Sequence, residues 1–205
     1  MQIVKSILFG GILTVILVFG EAKTVLAIDL NPLSMIKGAV EAIAEDRSSG
    51  DIAKDLAIKT EITAKVIEKM GTDVISLSAD VYEQNVMLTG AVKTKDQRKQ
   101  AEKLTREVEN VKKIYNEILV IKPIDKEKGA VENFVDDTVI ESKTNALLLD
   151  AKGVNVTNFR WRSVGGKVFL FGRALSQAEK EKATKVVRTI KNVVSVKNLA
   201  KVRPK

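Results

Sequence analysis

The side chains that could support chemistry in this sequence are carboxylates, lysines and a few aromatic residues. The chain has no cysteine and no histidine, which excludes thiol nucleophiles, Cys/His zinc sites, serine–histidine triads and disulfides. Asp55 and the pair Asp136-Asp137 could in principle serve acid–base chemistry or hold an oxygen-ligated metal. Asp55 and Asp137, however, fall in the first turns of predicted helices, where a carboxylate complements the helix dipole. We therefore interpret them as caps and predict no catalytic residue, no metal site and no cofactor.

The residues best suited to bind a ligand lie in the C-terminal third of the chain. Arg160, Trp161 and Arg162 are consecutive in a predicted strand, and an amphipathic ring beside cationic groups suits a lipid headgroup interface. The same set could stack on single-stranded nucleic acid, a partner that the predicted export of the chain disfavours. An earlier predicted helix is more apolar than one buried stripe requires, so it either packs between modules or contacts lipid. The predicted lipid-binding residues are Phe134, Val139, Lys143, Leu147, Arg160, Trp161 and Arg162.

The positive charge of the protein is unevenly distributed. The formal net charge is +8, yet the first 131 residues hold nineteen basic and nineteen acidic residues, and the remainder holds fifteen basic and seven acidic ones. This asymmetry either indicates an anionic partner, such as an anionic membrane surface, or reflects only a solvated basic face.

An internal repeat organises the whole chain. The segment Val86-Met87-Leu88-Thr89-Gly90 recurs 82 positions later as Val168-Phe169-Leu170-Phe171-Gly172, and the same offset pairs many other positions without a gap. Each copy has only about seventy residues, a size that buries a thin core and does not favour a deep catalytic cleft. The repeat therefore predicts two small modules with a binding role.

Each module reads as helix, strand, strand, helix, strand. In the first module, an apolar helix ends at Gly71, and residues 73–82 alternate as a strand with one buried and one solvated face. The return strand spans residues 86–92, and residues 112–121 form the closing strand, which we expect to pair in parallel. Capping boxes, Thr94 with Gln97 and Ser176 with Glu179, open the second helix of each module.

Gly90 and Gly172 stand after an alternating strand and before a capped helix. A bend or a positive φ is needed there, so we predict a structural role for both glycines.

The predicted fold class is α+β, with two tandem αββαβ modules, each a small three-stranded mixed sheet packed against two helices. Residues 1–27 are predicted to be a signal peptide, because Lys5 precedes a thirteen-residue apolar run that is short for a membrane span. An uncleaved N-terminal membrane anchor is the alternative. The predicted boundaries then give a connecting arm at 28–50, the first module at 51–121, a linker at 122–131 and the second module at 132–205.

The repeated unit resembles the BON domain. The resemblance rests on Asp-x-x-Ile in each opening helix (Asp55 and Ile58, Asp137 and Ile140), on the Val-x-Leu-x-Gly strands, and on the Asp-Arg-Ser-x-Gly segment that begins at Asp46. With the export signal, the chain is similar to the dual-BON envelope proteins, which include soluble osmotic-stress proteins and outer-membrane lipoproteins. The lipidated cysteine of the lipoproteins is absent, which favours a soluble form.

The resemblance implies a non-enzymatic protein of the periplasm, soluble or peripheral to a membrane, that binds anionic phospholipid and supports envelope integrity or osmotic-stress tolerance. The alternative is a periplasmic scaffold that binds envelope proteins through its BON modules. No nucleic-acid partner is expected.

Overall fold

The structure is a computed structural model of the 205-residue chain. It describes the backbone of residues 7–9, 12–14 and 130–136, and both backbone and side chains of residues 46–71, 74, 76–121 and 137–203. The predicted signal peptide beyond its two short strands, most of the connecting arm and the linker at 122–129 lie outside the described residues. The chain divides into two compact units, residues 1–45 and 46–205. In the first unit, strands β1 (Ile7–Phe9) and β2 (Ile12–Thr14) pair in antiparallel fashion.

The first module begins with helix α1 (Ser49–Met70), which Ser48 caps at its N-terminus and Gly71 ends. Strands β3 (Ser78–Tyr82) and β4 (Asn85–Thr89) form an antiparallel hairpin, and β5 (Ala91–Val92) follows. Helix α2 (Lys95–Arg106) leads to β6 (Lys113–Asn116) and β7 (Leu119–Val120), which pair in parallel with β4 and β5.

The second module repeats this order. Helix α3 (Ala130–Asp150) precedes a 3₁₀ turn (Val156–Asn158), strand β8 (Phe159–Val164) and strand β9 (Lys167–Ala174). Helix α4 (Gln177–Arg188) then leads to β10 (Ser195–Asn198) and β11 (Lys201–Val202), both parallel to β9. The predicted fold class, α+β with two tandem modules that each hold a small mixed sheet and helices, is confirmed.

Each module has its own apolar core between its helices and one face of its sheet. In the first module Ile62 from α1, Val86 from β4 and Ala101 from α2 are buried together. In the second, Val168 and Ala183, the equivalents of Val86 and Ala101, are buried together with Ile140. The helices form because apolar residues recur at helical spacing, and they bury that stripe against the sheet.

The first strand of each hairpin is shorter than the alternating pattern predicts. In the first module β3 begins at Ser78, after a turn in which Leu77 N donates to Val74 O at 2.8 Å. In the second module the 3₁₀ turn precedes β8 in the same way. Alternation of apolar residues does not distinguish a strand from the turn that enters it, so the predicted start at residue 73 is wrong.

The second face of each sheet is also buried. Tyr82, Met87, Phe169 and Phe171 form an apolar cluster, and each is at most 4% exposed. Tyr115 meets Phe171 edge to face, with ring centroids 5.7 Å apart. The prediction that one face of the hairpin is solvated is therefore wrong, because the two sheets pack against each other through these faces. Burial of each such side chain contributes about 1.5–3 kcal/mol, which joins the modules firmly.

Candidate lipid-binding surface and the interface between the modules

The two aspartates that the sequence suggests as helix caps have another role. Asp55 and Asp137 each lie two turns inside their helices and accept backbone N–H groups from the hairpin turn of their own module. Asp55 accepts from Glu83 N and Gln84 N, both at 2.7 Å. The loss of water raises the pKa of Asp55 above its ordinary value, while hydrogen bonds from Gln84 and the charge of Arg47 oppose that rise. The capping interpretation is thus corrected: the carboxylates tie each opening helix to its hairpin.

Asp137 repeats this arrangement in the second module. Its Oδ2 accepts from Gly165 N at 2.6 Å and its Oδ1 from Gly166 N at 2.9 Å. The Ser163 hydroxyl donates to Oδ1 at 2.6 Å. The residues of both turns have positive φ angles, and their backbone N–H groups have no strand partner. The aspartate carboxylate supplies the acceptor that these N–H groups need.

Gly90 and Gly172 occupy equivalent kinks in the second strand of each hairpin. Their φ angles are 113° and 111°. A Cβ atom on Gly90 would lie 2.1 Å from Ser76 O, and one on Gly172 would lie 2.2 Å from Asn158 O. Both positions therefore require glycine for its conformation and for the close approach of the neighbouring backbone.

The second capping box is only half formed. Ser176 accepts from Glu179 N at 3.1 Å, as in the complete box of Thr94 and Gln97 in the first module. The Glu179 carboxylate instead accepts from Leu175 N and from Asn155 N, the latter at 2.6 Å. Glu179 thereby connects the start of α4 to the segment that follows α3.

The predicted site residue Arg162 lies in the interface between the modules. Its guanidinium pairs with Asp80, with Nε 2.9 Å from Oδ2, and its Nε donates to Ser78 Oγ at 3.1 Å. A weaker contact of 3.8 Å joins it to Glu141. Positions 80 and 162 are equivalent in the repeat, so the interface is close to two-fold symmetric and this pair lies near its axis.

Arg160 and Trp161 point to opposite faces of β8. The Arg160 guanidinium donates to Thr157 O and Phe159 O, both at 2.9 Å, and lies 5.6 Å from the centre of the Tyr82 ring. Trp161 is half-buried against the core of the second module, and its Nε1 donates to Glu141 O at 3.2 Å. The structure therefore does not gather Arg160, Trp161 and Arg162 on one outer surface, and their contact with lipid stays a prediction.

Several cations that give the second module its surplus positive charge have acidic or polar partners within the same chain. Cations on the strands of the second module contact the first module or the segment that leads into it. Lys197 pairs with Glu117 at 2.8 Å, and Lys201 donates to Asn85 at 2.7 Å. Arg173 and Arg203 pair with Asp46 at 3.1 and 3.0 Å, and Arg173 also pairs with Glu83. Much of the surplus positive charge is therefore used between the modules.

Predicted site residues on α3 form a separate, outward-facing surface. Val139, Lys143 and Leu147 recur every four residues and are exposed, with Val139 at 44% and Leu147 at 38%. Leu149 is 63% exposed, but it follows Leu147 by two positions and therefore lies on a different side of the helix. Phe134 belongs to the same helix, and its side chain lies outside the described residues. We call Val139, Lys143 and Leu147 the α3 stripe.

Helix α4 adds positive charge beside the α3 stripe. The two helices pack on the same face of the sheet, and Lys182 Nζ donates to the carbonyl of Lys152 just after α3. Lys182, Lys185 and Arg188 are all exposed on α4. Exposed apolar side chains of α3 and exposed cations of α4 therefore lie on the same side of the second module, the side that faces away from the first.

Sequence reasoning missed the residues that join the modules, although a signal for them exists. Strands β4 and β9 are apolar on both faces, a pattern typical of strands buried on both sides. Opposite charges at the equivalent positions Asp80 and Arg162 are a second signal, since equivalent positions meet at a two-fold interface.

Two properties bear on what the described part of the chain can do. It contains no group of three or more carboxylates placed to hold a metal ion. Among its helices, none is both long and apolar enough to cross a membrane.

Comparison with known proteins places the chain in a family. The model of the BON domain matches residues 54–122 and 136–204. The chain is 31% identical over 121 residues to an Anaplasma centrale protein named "Uncharacterized protein in gshII 5'region", a match that covers 59% of this chain and 78% of the relative. It is 27% identical over 149 residues to osmotically-inducible protein Y of Escherichia coli (strain K12), covering 73% of each chain.

Two solved structures of CdsD, a structural protein of the type III secretion system of Chlamydia trachomatis, also match. They have TM-scores of 0.30 and 0.31, at 14% and 10% identity. The matches cover 73% and 71% of this chain and 67% and 92% of those chains. The predicted resemblance to the BON domain is confirmed by the match to the family model, which spans both modules. The chain belongs to the BON domain family and carries two copies of the domain.

Proposed function

We propose that this protein is a non-enzymatic envelope protein that binds anionic phospholipid and supports membrane integrity or osmotic-stress tolerance. The observation that carries the proposal is the α3 stripe, where exposed apolar side chains flank a lysine on an outward-facing helix. Membership of the BON family and similarity to a protein named as osmotically inducible support it.

The α3 stripe suits a membrane surface for physical reasons. Val139 and Leu147 can enter the boundary between headgroups and acyl chains, and the Lys143 stem can lie along that boundary with its ammonium among the headgroups. Each nearby cation, such as Lys182 or Lys185 on α4, contributes about 1 kcal/mol at an anionic surface. The helix then lies in the plane of the membrane.

The place of action is proposed from the N-terminal sequence. The predicted signal peptide directs the chain to the periplasm, with the mature protein beginning near Ile28 and lying free or peripheral to a membrane. The alternative, an uncleaved anchor, would retain Met1 and keep the protein with membranes after a high-salt wash.

The proposal is tested by flotation of the full chain with vesicles. Binding to phosphatidylglycerol-containing vesicles and weaker binding to phosphatidylcholine vesicles are expected. Leu147→Asp should weaken binding to the anionic vesicles about tenfold or more, because it removes an apolar contact and adds a repelled charge. Lys65→Asp, at the equivalent position of the first module, is the matched control and should change binding less than about twofold. Equal effects of the two variants, or no binding by the parent, would contradict the proposal.

A second candidate function is a scaffold that binds a protein partner in the periplasm. The observation that favours it is a cavity of about 250 Å³ between the modules, which Asp137 and Arg162 line. The two functions use different surfaces and do not exclude each other.

A further inference from the structure

The segment that leads into the first module docks between the two modules. Asp46 N donates to Asn158 Oδ1 at 3.0 Å, and the Asp46 carboxylate pairs with Arg173 and Arg203. The Arg47 guanidinium pairs with Asp55 and lies 4.0 Å from the centre of the Tyr82 ring. This consecutive acid and arginine thus occupy one groove at the interface.

The two-fold relation of the modules generates a second groove. Adding or subtracting the repeat offset of 82 converts the residues that contact Asp46 and Arg47 into their counterparts in the other module. These counterparts are Ser76 for Asn158, Ala91 for Arg173, Ile121 for Arg203, Asp137 for Asp55 and Val164 for Tyr82. All of them line one cavity of about 250 Å³ between the modules. The sequence has no second Asp-Arg-Ser at this offset, where Lys128, Gly129 and Ala130 stand.

The polar groups of this cavity favour a cation. Asp137 and Glu141 line it, and Glu141 stands where the first module has Lys59. Thr89 also lines it and is 1% exposed, and its hydroxyl has no hydrogen-bond partner within the described part of the chain. Arg162 is the cation at its wall, and it pairs closely with Asp80 at 2.9 Å and only weakly with Glu141 at 3.8 Å. A buried hydroxyl without a partner is costly unless a ligand donates to it.

The two grooves differ at the place that the Asp46 carboxylate occupies in the first one. This difference indicates which type of residue should stand directly before the bound cationic residue in its sequence. Arg173 and Arg203 hold the Asp46 carboxylate in the first groove, and their counterparts Ala91 and Ile121 are apolar. An acid at that place would be desolvated without a partner, whereas an apolar side chain would be buried favourably. Ser76 Oγ, the counterpart of the Asn158 side chain, donates to Ala91 O at 2.9 Å and accepts from Ala91 N at 3.4 Å, and its second lone pair can accept the N–H of that residue.

We propose that the cavity binds an arginine side chain of a short segment from a protein partner, with an apolar residue directly before the arginine. The guanidinium pairs with Asp137 and Glu141, the pairing that Arg47 makes with Asp55 in the first groove. This site is distinct from the α3 stripe, so the inference does not rest on lipid binding.

The test is an NMR titration of the full chain with short peptides. Acetyl-Ile-Arg-Ser-amide should bind saturably and shift the amide signals of Gly90, Ala91 and Gly165 at the cavity. The same peptide with citrulline, the neutral analogue of arginine, should bind about tenfold or more weakly, because charge-assisted hydrogen bonds are lost. Acetyl-Asp-Arg-Ser-amide should also bind more weakly than the isoleucine peptide.

Two variants sharpen the test. Glu141→Gln should weaken binding of the isoleucine peptide about fivefold or more, while Lys59→Gln at the equivalent position should leave it within about twofold. Ile121→Arg restores the cation that Arg203 supplies in the first groove, so it should reverse the preference and favour the aspartate peptide. The fold tolerates arginine at the equivalent place, which keeps this variant informative if Glu141→Gln is destabilised.

Several results would overturn the inference. Absence of shifts at the cavity at about 10 mM peptide would show that the cavity is no such site. Equal binding of the arginine and citrulline peptides would remove the role of the cation. An N-acetylarginine amide that binds as tightly as the tripeptide would show that the cavity takes a free cation and not a peptide segment.

Discussion

Among single residues, the aspartates show how far sequence reasoning reaches. The repeat places Asp55 and Asp137 at equivalent positions, and their predicted location in helices is confirmed. Their hydrogen-bond partners lie about 28 residues away in a turn, and helix propensity contains no information about that distance. Sequence reasoning therefore assigns the carboxylates to the nearest N–H groups, those of their own helices, whereas the structure uses the turns.

Glu141 gives a prediction at the same scale. Loss of water raises its pKa above the ordinary value, with Asp80 and Asp137 adding to the rise and the Ser163 N–H and Arg162 opposing it. A raised folded-state pKa stabilises the fold below the unfolded pKa, and this contribution is lost as pH rises through the folded pKa. The Glu141→Gln variant keeps an acceptor for Ser163 N but cannot ionise.

We therefore expect the parent to lose stability relative to Glu141→Gln as pH rises from about 4 to about 7. Urea unfolding of both proteins at several pH values measures this difference. Ser142→Ala on the exposed side of α3 serves as the control and should show no such trend. A difference that grows in favour of the parent would mean that Arg162 and the Ser163 N–H outweigh the loss of water.

Among elements, helices and their caps are predicted well and strand limits poorly. The Thr94 capping box and the Gly71 end of α1 depend on neighbours in sequence, so local patterns find them. The hairpin strands depend on what covers each face. Strands β4 and β9 are apolar on both faces because helices cover one face and the sheet of the other module covers the second face.

The kink at Gly90 is an element-scale feature with a direct test. Gly90→Ala should destabilise the protein by about 3 kcal/mol or more, since it combines an unfavourable φ with a collision against Ser76 O. Gly71→Ala is a matched control, because Gly71 also has a positive φ but no atom within 4 Å of the place that a Cβ would occupy. It should cost only about 1–2 kcal/mol. Equal losses for the two variants by urea unfolding would contradict the account of the kink.

For the whole molecule, the main result is that the two BON domains share a buried face. Domains that share a small polar interface move freely as a rule, whereas a large apolar interface holds them together. Tyr82, Met87, Phe169 and Phe171 provide the apolar part here, and Asp80 with Arg162 provides the charged part. The sequence shows that the second module carries surplus positive charge. It does not show that much of this charge pairs with acidic side chains of the first module.

A charge swap tests this interface. Arg162→Asp should destabilise the full chain by about 3 kcal/mol, because it leaves the buried Asp80 carboxylate facing another negative group. Asp80→Arg should be comparably harmful. The double variant restores opposite charges and should recover at least half of the combined loss. Strictly additive losses in a double-mutant cycle would show that the two side chains do not interact.

The central proposal is that the outer face of α3 meets the membrane, whereas Arg160 and Arg162 of β8 serve contacts inside the chain. The direct measurement compares the affinity of two folded double variants for phosphatidylglycerol vesicles. Val139→Ser with Leu147→Ser should weaken binding about tenfold or more, by loss of two apolar contacts. Arg160→Gln with Arg162→Gln should leave the affinity within about threefold, since both arginines are engaged inside the chain. Loss of binding in the arginine variant, with the α3 variant unaffected, would contradict the account.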